Sequence, residues 1–299
     1  MTTPNAEIEL VLSARRAELP GGLHVRRALP RRERRSVGPF VFVDQMGPAV
    51  AARGAETTVL PHPHIGLATV TYLFEGEGIH RDSVGSVQRI LPGEVNWMTA
   101  GRGIVHSERL RAGPSGLISG VQTWVALPLE LEECAPRFEH YGAEHVPSME
   151  RAGARLRVIA GSLFGVRSGV RTPSPLFYVD AQLDAGAALS VPAEYAERAA
   201  YVVEGAVTGA GQRLGAGDLA FLRSGAELEC RALEPARLLL LGGEPLEGPR
   251  YISWNFVSSS KARLERAAND WRDQRFARVP GESSYIPLPE DGSEPVNYP

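Results

Sequence analysis

One stretch of this sequence lies over another without a gap. HPHIGLATVTYLFEG (62–76) sets against VPAEYAERAAYVVEG (191–205), matching Pro63 with Pro192, Tyr72 with Tyr201, Glu75 with Glu204 and Gly76 with Gly205. After a turn that is shorter in the second copy (206–215 against 77–91), PGEVNWMTAG (92–101) lies over AGDLAFLRSG (216–225). Gly93 then meets Gly217, Trp97 meets Phe221 and Gly101 meets Gly225. Turn glycines shared at fixed offsets from shared apolar runs mark a repeated supersecondary unit. A chain of 299 residues holds two such units at about 150 residues each.

The repeated unit reads as β-structure. ATVTYLFEG, GEVNWMTAG, LISGVQTWVAL, RLRVIAG, LFYVDAQL, AAYVVEG and ARLLLLGG are rich in β-branched and aromatic residues and bounded by glycine or proline. Strands at this spacing, without helices between them, specify an all-β sandwich or barrel. The exception is SSSKARLERAANDWRDQRF (Ser258–Phe276), which lacks glycine and proline and opens with serines suited to capping. Leu264, Ala268 and Trp271 fall on one helical face, so the spacing predicts a single C-terminal helix over 258–276. An extended, proline-rich tail follows, with Tyr285, Ile286 and Leu288 placed to tie it to the body.

The totals exclude several classes. A net charge of −3 offers no footprint for nucleic acid. The basic run RRALPRRERR (Arg26 to Arg35) is interrupted by Glu33 and leads into an apolar stretch, which reads as a solvated or ion-paired strand entry. Two cysteines, Cys134 and Cys230, form no C-x-x-C pattern, which argues against a disulfide scaffold or a cysteine zinc site and suits a reducing compartment. The start, MTTPNAEIEL, has no apolar segment of signal-peptide length, and no run approaches 18 apolar residues. The expectation is a cytoplasmic protein with no membrane partner.

The histidines carry the chemistry. His62 and His64 flank Pro63, and residues two apart in a strand point to one face, roughly 6–7 Å from each other. Pro63 fixes its own φ and biases His62 toward extended backbone. Past the turn AGRG, His106 and Glu108 form a second pair of the same kind. Where the two strands are neighbours, three imidazoles and a carboxylate converge, a set that suits Fe(II), Mn(II), Ni(II), Cu(II) or Zn(II) with positions left for water, substrate or O2. In the second copy these four positions hold Val191, Ala193, Cys230 and Ala232. Their joint loss predicts one metal site, in the N-terminal half. His80, in GIHRDSVGS, reads as a turn residue near the site. His24 reads as half-exposed, His140 and His145 as solvated, and Phe74, Trp97 and Trp124 as core aromatics.

HPHIGLATVTYLFEGEGIHRDSVGS followed by PGEVNWMTAGRGIVHSE resembles the signature of the pirins, members of the cupin superfamily. LPRRERRSVGPFVFVDQMGP and WNFVSSSKARLERAANDW with IPLPE are also similar to bacterial pirin-like proteins, so the resemblance spans nearly the whole chain. It implies a bicupin: two face-to-face jelly-roll sandwiches, an N-terminal metal-binding domain over 1–140 and a C-terminal domain over 141–299 that lacks ligands and ends in the helix and tail. It implies one mononuclear metal, Fe(II) foremost, on His62, His64, His106 and Glu108, with Thr69 where other cupins carry a further glutamate. The resemblance also implies a flavonol 2,4-dioxygenase acting on quercetin with O2; in that reaction Glu108 is the expected catalytic base for the substrate 3-hydroxyl once it swings off the metal. The alternative it implies is a redox-sensitive regulator that binds a transcription factor or metabolic enzyme, with Arg26–Arg35 and the C-terminal helix as candidate surfaces.

Overall fold

Short apolar runs punctuated by glycine turns fold here into strands that pair almost entirely antiparallel. The computed structural model describes residues 7–19, 22–50, 56–289 and 296–298. The chain forms two compact units: Met1–Arg15, Arg26–Phe40 and Tyr141–Pro245 make one, and Arg16–Val25, Val41–His140 and Leu246–Pro299 make the other. Each unit is assembled from separated stretches of the chain, so the ends are exchanged between the halves. Strand Ile8–Ser13 pairs antiparallel with Asp218–Leu222 of the C-terminal half, and the helix and tail lie with the unit built on 41–140. The physical reason is edge protection: Ile8–Ser13 covers the open edge of Asp218–Leu222 and buries Ile8 and Leu12 there.

Each unit is a β-sandwich of a small and a large sheet. In the N-terminal half the small sheet runs Glu56–His64, Ile104–Arg111, Glu77–Asp82, Val87–Ile90; in the C-terminal half it runs Ala188–Val191, Leu228–Ala232, Ala206–Gly209, Gln212–Gly215. The large sheets share the order Val95–Thr99, Leu67–Glu75, Leu117–Ala126 against Asp218–Leu222, Glu197–Glu204, Ala236–Gly243. The repeat is therefore one topology used twice. Its shared turn glycines have a steric cause, as Gly76 (φ 91°) and Gly205 (φ 72°) show. A Cβ would stand 2.7 Å from the Arg111 carbonyl oxygen at the first and 2.3 Å from that of Pro235 at the second.

The strand registers refine the overlay. His64 stands opposite Ile104 and His62 opposite His106, whereas Val191 stands opposite Leu228 and Leu189 opposite Cys230. The counterparts of His62 and His64 are thus Leu189 and Val191, two residues earlier than the gapless overlay places them. The cause is a longer connection, 192–196 against 65–66, from the small-sheet strand to the large-sheet strand that follows it. Leu189, Val191, Cys230 and Ala232 are all buried and pack with Leu156, Val179, Ala200 and Leu238 of the large sheet in one apolar core. Burial pushes the Cys230 thiol up to about 11, so it is a neutral core group.

The helix is shorter than its sequence pattern, running Lys261–Arg272. Ser260 caps it by accepting from the Arg263 amide, while Ser259 is taken by the Glu132 carboxylate, which the Ser259 amide reaches at 2.9 Å. Gln274, at φ 54°, lies beyond the end. Leu264, Ala267 and Trp271 form its buried face, with Ala267 rather than Ala268 completing the stripe. They pack on Ile65, Val105 and Phe256, and Trp271 Nε1 donates to the Ile286 carbonyl, so the tail is tied down as expected. In the basic run, Arg34 approaches Glu9 at 3.7 Å and Glu197 at 3.9 Å, which fits the ion-paired reading. Among the described residues no helix is long and apolar enough to cross a membrane.

Truncating Trp271 to Ala removes a buried indole and a tail-holding hydrogen bond together. Denaturant unfolding of Trp271→Ala is expected to show a loss of about 3–5 kcal/mol; a loss below about 1 kcal/mol would mean the helix is not docked as described.

Candidate metal centre

The site begins with a bulge. In the ladder between Glu56–His64 and Ile104–Arg111, His106 faces His62 but Glu108 faces Val59, so Leu60 and Pro61 together oppose Ser107. Prolines at 61 and 63 are tolerated because this strand is the edge of its sheet. The bulge turns the Leu60 carbonyl toward the His62 ring, whose Nδ1 donates to it at 2.8 Å. The Nδ1 of His64 donates to the Asn255 carbonyl at 3.0 Å. Both rings are therefore held with Nε2 unprotonated and available as a donor atom.

His62, His64 and His106 bring ligand atoms within 4.8 Å of one another. His64 Nε2 and His106 Nε2 stand 3.1 Å apart, and the His62 and His106 ring centroids are 4.4 Å apart. The three rings are almost wholly buried. Burial holds each neutral: it lowers His62 to about 4 and takes His64 and His106 well below the usual histidine range, with repulsion among the rings adding to it. Neutral imidazoles with inward lone pairs, shut off from water, are what a divalent transition metal requires. The donor set fits the group.

Glu108 falls into an overlapping group with His80 and His106, again within 4.8 Å, rather than into the three-histidine group. Gln122 Nε2 donates to its two carboxylate oxygens at 3.2 and 3.1 Å, and the Thr71 hydroxyl donates to Gln122 Oε1 at 2.6 Å. Burial raises the Glu108 carboxyl above the usual carboxylate range, opposed by the neighbouring His80 ring and by the hydrogen bonds from Gln122 and Thr71. Glu108 and Gln122 keep part of their surface open, while the three histidines do not.

Other expectations change on inspection. His80 is not a turn residue: it lies in strand Glu77–Asp82, is 5% exposed, and pairs through Nε2 with Asp82 Oδ2 at 2.9 Å. Phe138 stacks on its ring at 4.2 Å, with an interplanar angle of 14°. His140 is half-buried and donates through Nδ1 to Asn96 Oδ1 at 2.8 Å, whereas His145 is exposed beside Glu144. Trp124 stands edge-on to His64 at 5.2 Å and stacks on Phe42 at 4.0 Å, so it walls the centre. Trp97 is plain core and Phe74 packs on Tyr72. Sequence reasoning missed Asp82, Gln122 and Thr71. The first was within reach, since His80 and Asp82 repeat the same two-apart pattern on one strand face.

Residues 22–125 match the family model described as Pirin, and residues 178–277 match that of the Pirin C-terminal cupin domain. A pirin-like protein of Caulobacter vibrioides is 50% identical over 290 residues, covering 95% of this chain and all of the relative. A Pseudomonas aeruginosa protein whose name assigns it, provisionally, quercetin 2,3-dioxygenase activity is 38% identical, over 90% of this chain and 85% of the relative. The crystal structure of a quercetin 2,3-dioxygenase from Acinetobacter baumannii superimposes with a TM-score of 0.86 at 34% identity, covering 94% of both chains.

Elemental analysis after loading is expected to find one metal ion per chain, lost in His64→Ala and kept in Cys230→Ala. Metal retained by His64→Ala, or a second equivalent removed by Cys230→Ala, would contradict the placement.

Proposed function

The chain belongs to the pirin family of the cupin superfamily, and on that premise we propose that it is an iron(II) dioxygenase that cleaves a flavonol such as quercetin with O2. The observation that carries the proposal is the convergence of three unprotonated imidazole nitrogens beside one partly accessible carboxylate of raised pKa. The likeness to a quercetin 2,3-dioxygenase over nearly the whole length supports it.

His62, His64 and His106 would hold the metal through Nε2, with Glu108 as the fourth candidate ligand. When bound, the metal supplies a Lewis acid that favours the deprotonated form of the flavonol 3-hydroxyl. The protein's own residues do the rest. Glu108 takes the 3-hydroxyl proton onto a carboxylate oxygen, a role for which a carboxyl raised by burial is a stronger base than an ordinary one. Gln122, oriented by Thr71, holds that carboxylate at the open side, where a planar substrate enters. Trp124 and Phe42 form an apolar wall beside His64, against which an aromatic ring system stacks while water is kept out.

Oxygen uptake by Fe(II)-loaded protein given quercetin is expected to be catalytic, repeated, and lost in His106→Ala. Glu108→Gln, shown to retain metal, is expected to lower kcat about 10²- to 10⁴-fold. Full turnover in Glu108→Gln would remove the proposed base. No uptake by wild-type protein containing one iron per chain would contradict the flavonol dioxygenase and favour the redox-sensitive regulator.

A further inference from the structure

One buried polar chain remains that the proposed reaction does not use. Asp82 is fully buried and its two oxygens are divided between two tasks. Oδ1 accepts from the Val84 and Ser86 amides at 3.0 and 2.9 Å, and Oδ2 faces His80 Nε2 at 2.9 Å. On the far side of the same ring, His80 Nδ1 stands 3.4 Å from His106 Nδ1. Phe138, stacked parallel on the ring, fixes its plane.

We propose that His80 is the positioning residue for the ligand His106, and that Asp82 sets the direction of the hydrogen bond between them. The inference rests on the metal reading of the site and goes one layer outward from it. A carboxylate oxygen only accepts, so His80 presents its Nε2 proton to Asp82; a metal on His106 Nε2 puts the His106 proton on Nδ1, and His80 Nδ1 is then the atom that must accept it. His106 then donates from Nδ1, and its Nε2 lone pair is left facing His64 Nε2, where the metal would sit. His62 and His64 obtain the same orientation from the Leu60 and Asn255 carbonyls. His106 is the exception among the three, because its Nδ1 faces another titratable ring, which can present either a donor or an acceptor. With Asp82 holding the Nε2 proton, the lone pair that His106 needs falls on His80 Nδ1.

The geometry makes the proposal sharply testable. In Asp82→Asn the two backbone amides keep the side-chain oxygen, so the new NH2 group faces His80 Nε2 and donates to it. His80 is then forced to carry its proton on Nδ1, where it collides with the His106 Nδ1 proton that metal binding requires. The packing is almost unchanged, yet the direction of the hydrogen bond is reversed.

The experiment measures Zn(II) affinity by competition with a chromophoric chelator, together with long-range proton–nitrogen spectra of the Zn(II)-loaded protein. In the wild type the spectra should place the proton of His106 on Nδ1 and that of His80 on Nε2. Asp82→Asn and His80→Ala are each expected to weaken Zn(II) binding about 10- to 100-fold. His80→Asn, whose Oδ1 takes the place of Nδ1, should recover most of the affinity. In the His80→Asn background, Asp82→Asn should cost nothing further. A merely structural role would leave Asp82→Asn harmless and make His80→Asn no better than His80→Ala. Binding by Asp82→Asn within a factor of about two of wild type, or a His106 proton on Nε2 in the loaded protein, would overturn the proposal while leaving the metal reading intact. A wild-type chain that takes up no Zn(II) would overturn both.

Discussion

His106 stands opposite His62 on one side of its strand and opposite Asp82 on the other, and most of the chemistry of this chain depends on that register. A slip of one residue would turn every side chain of the strand to the opposite face, removing His106 and Glu108 from the centre together. Two features hold the pairing in place. The bulge at Leu60 and Pro61 accommodates an extra residue at a fixed point, and the apolar positions Val59, Ile104 and Leu110 on the paired strands are buried on either side of it.

The electrostatics follow from the same placement. Three imidazoles packed into a water-excluded pocket cannot all be charged, so burial keeps them neutral, and each has its Nδ1 turned toward a neighbour rather than toward the centre. A polar cluster of this kind opposes folding unless its donors and acceptors are matched. Here the matching comes from two carbonyls, one further ring and one buried carboxylate. The C-terminal unit shows the other solution to the same backbone: Leu189, Val191, Cys230 and Ala232 fill the equivalent space and join the apolar core. One topology thus serves once as a scaffold and once as a donor array.

Much of this was legible in the sequence because it rests on periodicity. The two-residue repeat of a strand placed His62 with His64 and His106 with Glu108, and the glycine-bounded repeat with 62–76 over 191–205 announced two copies of one sandwich. The parts that were not legible depend on contacts between distant segments. The exchange of Ile8–Ser13 and the C-terminal helix between units arises from edges and apolar faces that must be covered, which no local pattern encodes. The two-residue offset of Val191 followed from the length of a turn, and the helix began late because Ser259 found a partner in Glu132. His80 was misread because GIHRDSVGS has turn-forming residues, yet the turn proper begins after Asp82, whose side chain accepts from the amides of Val84 and Ser86.

The central claim is that the three Nε2 atoms of His62, His64 and His106 form one metal-binding face. X-ray absorption at the metal edge of Zn(II)-loaded protein tests it most directly. The account predicts three imidazole nitrogens at about 2.0–2.1 Å, with the outer-shell scattering that imidazole rings produce. A coordination sphere of oxygen atoms alone, or one with a single imidazole, would contradict it.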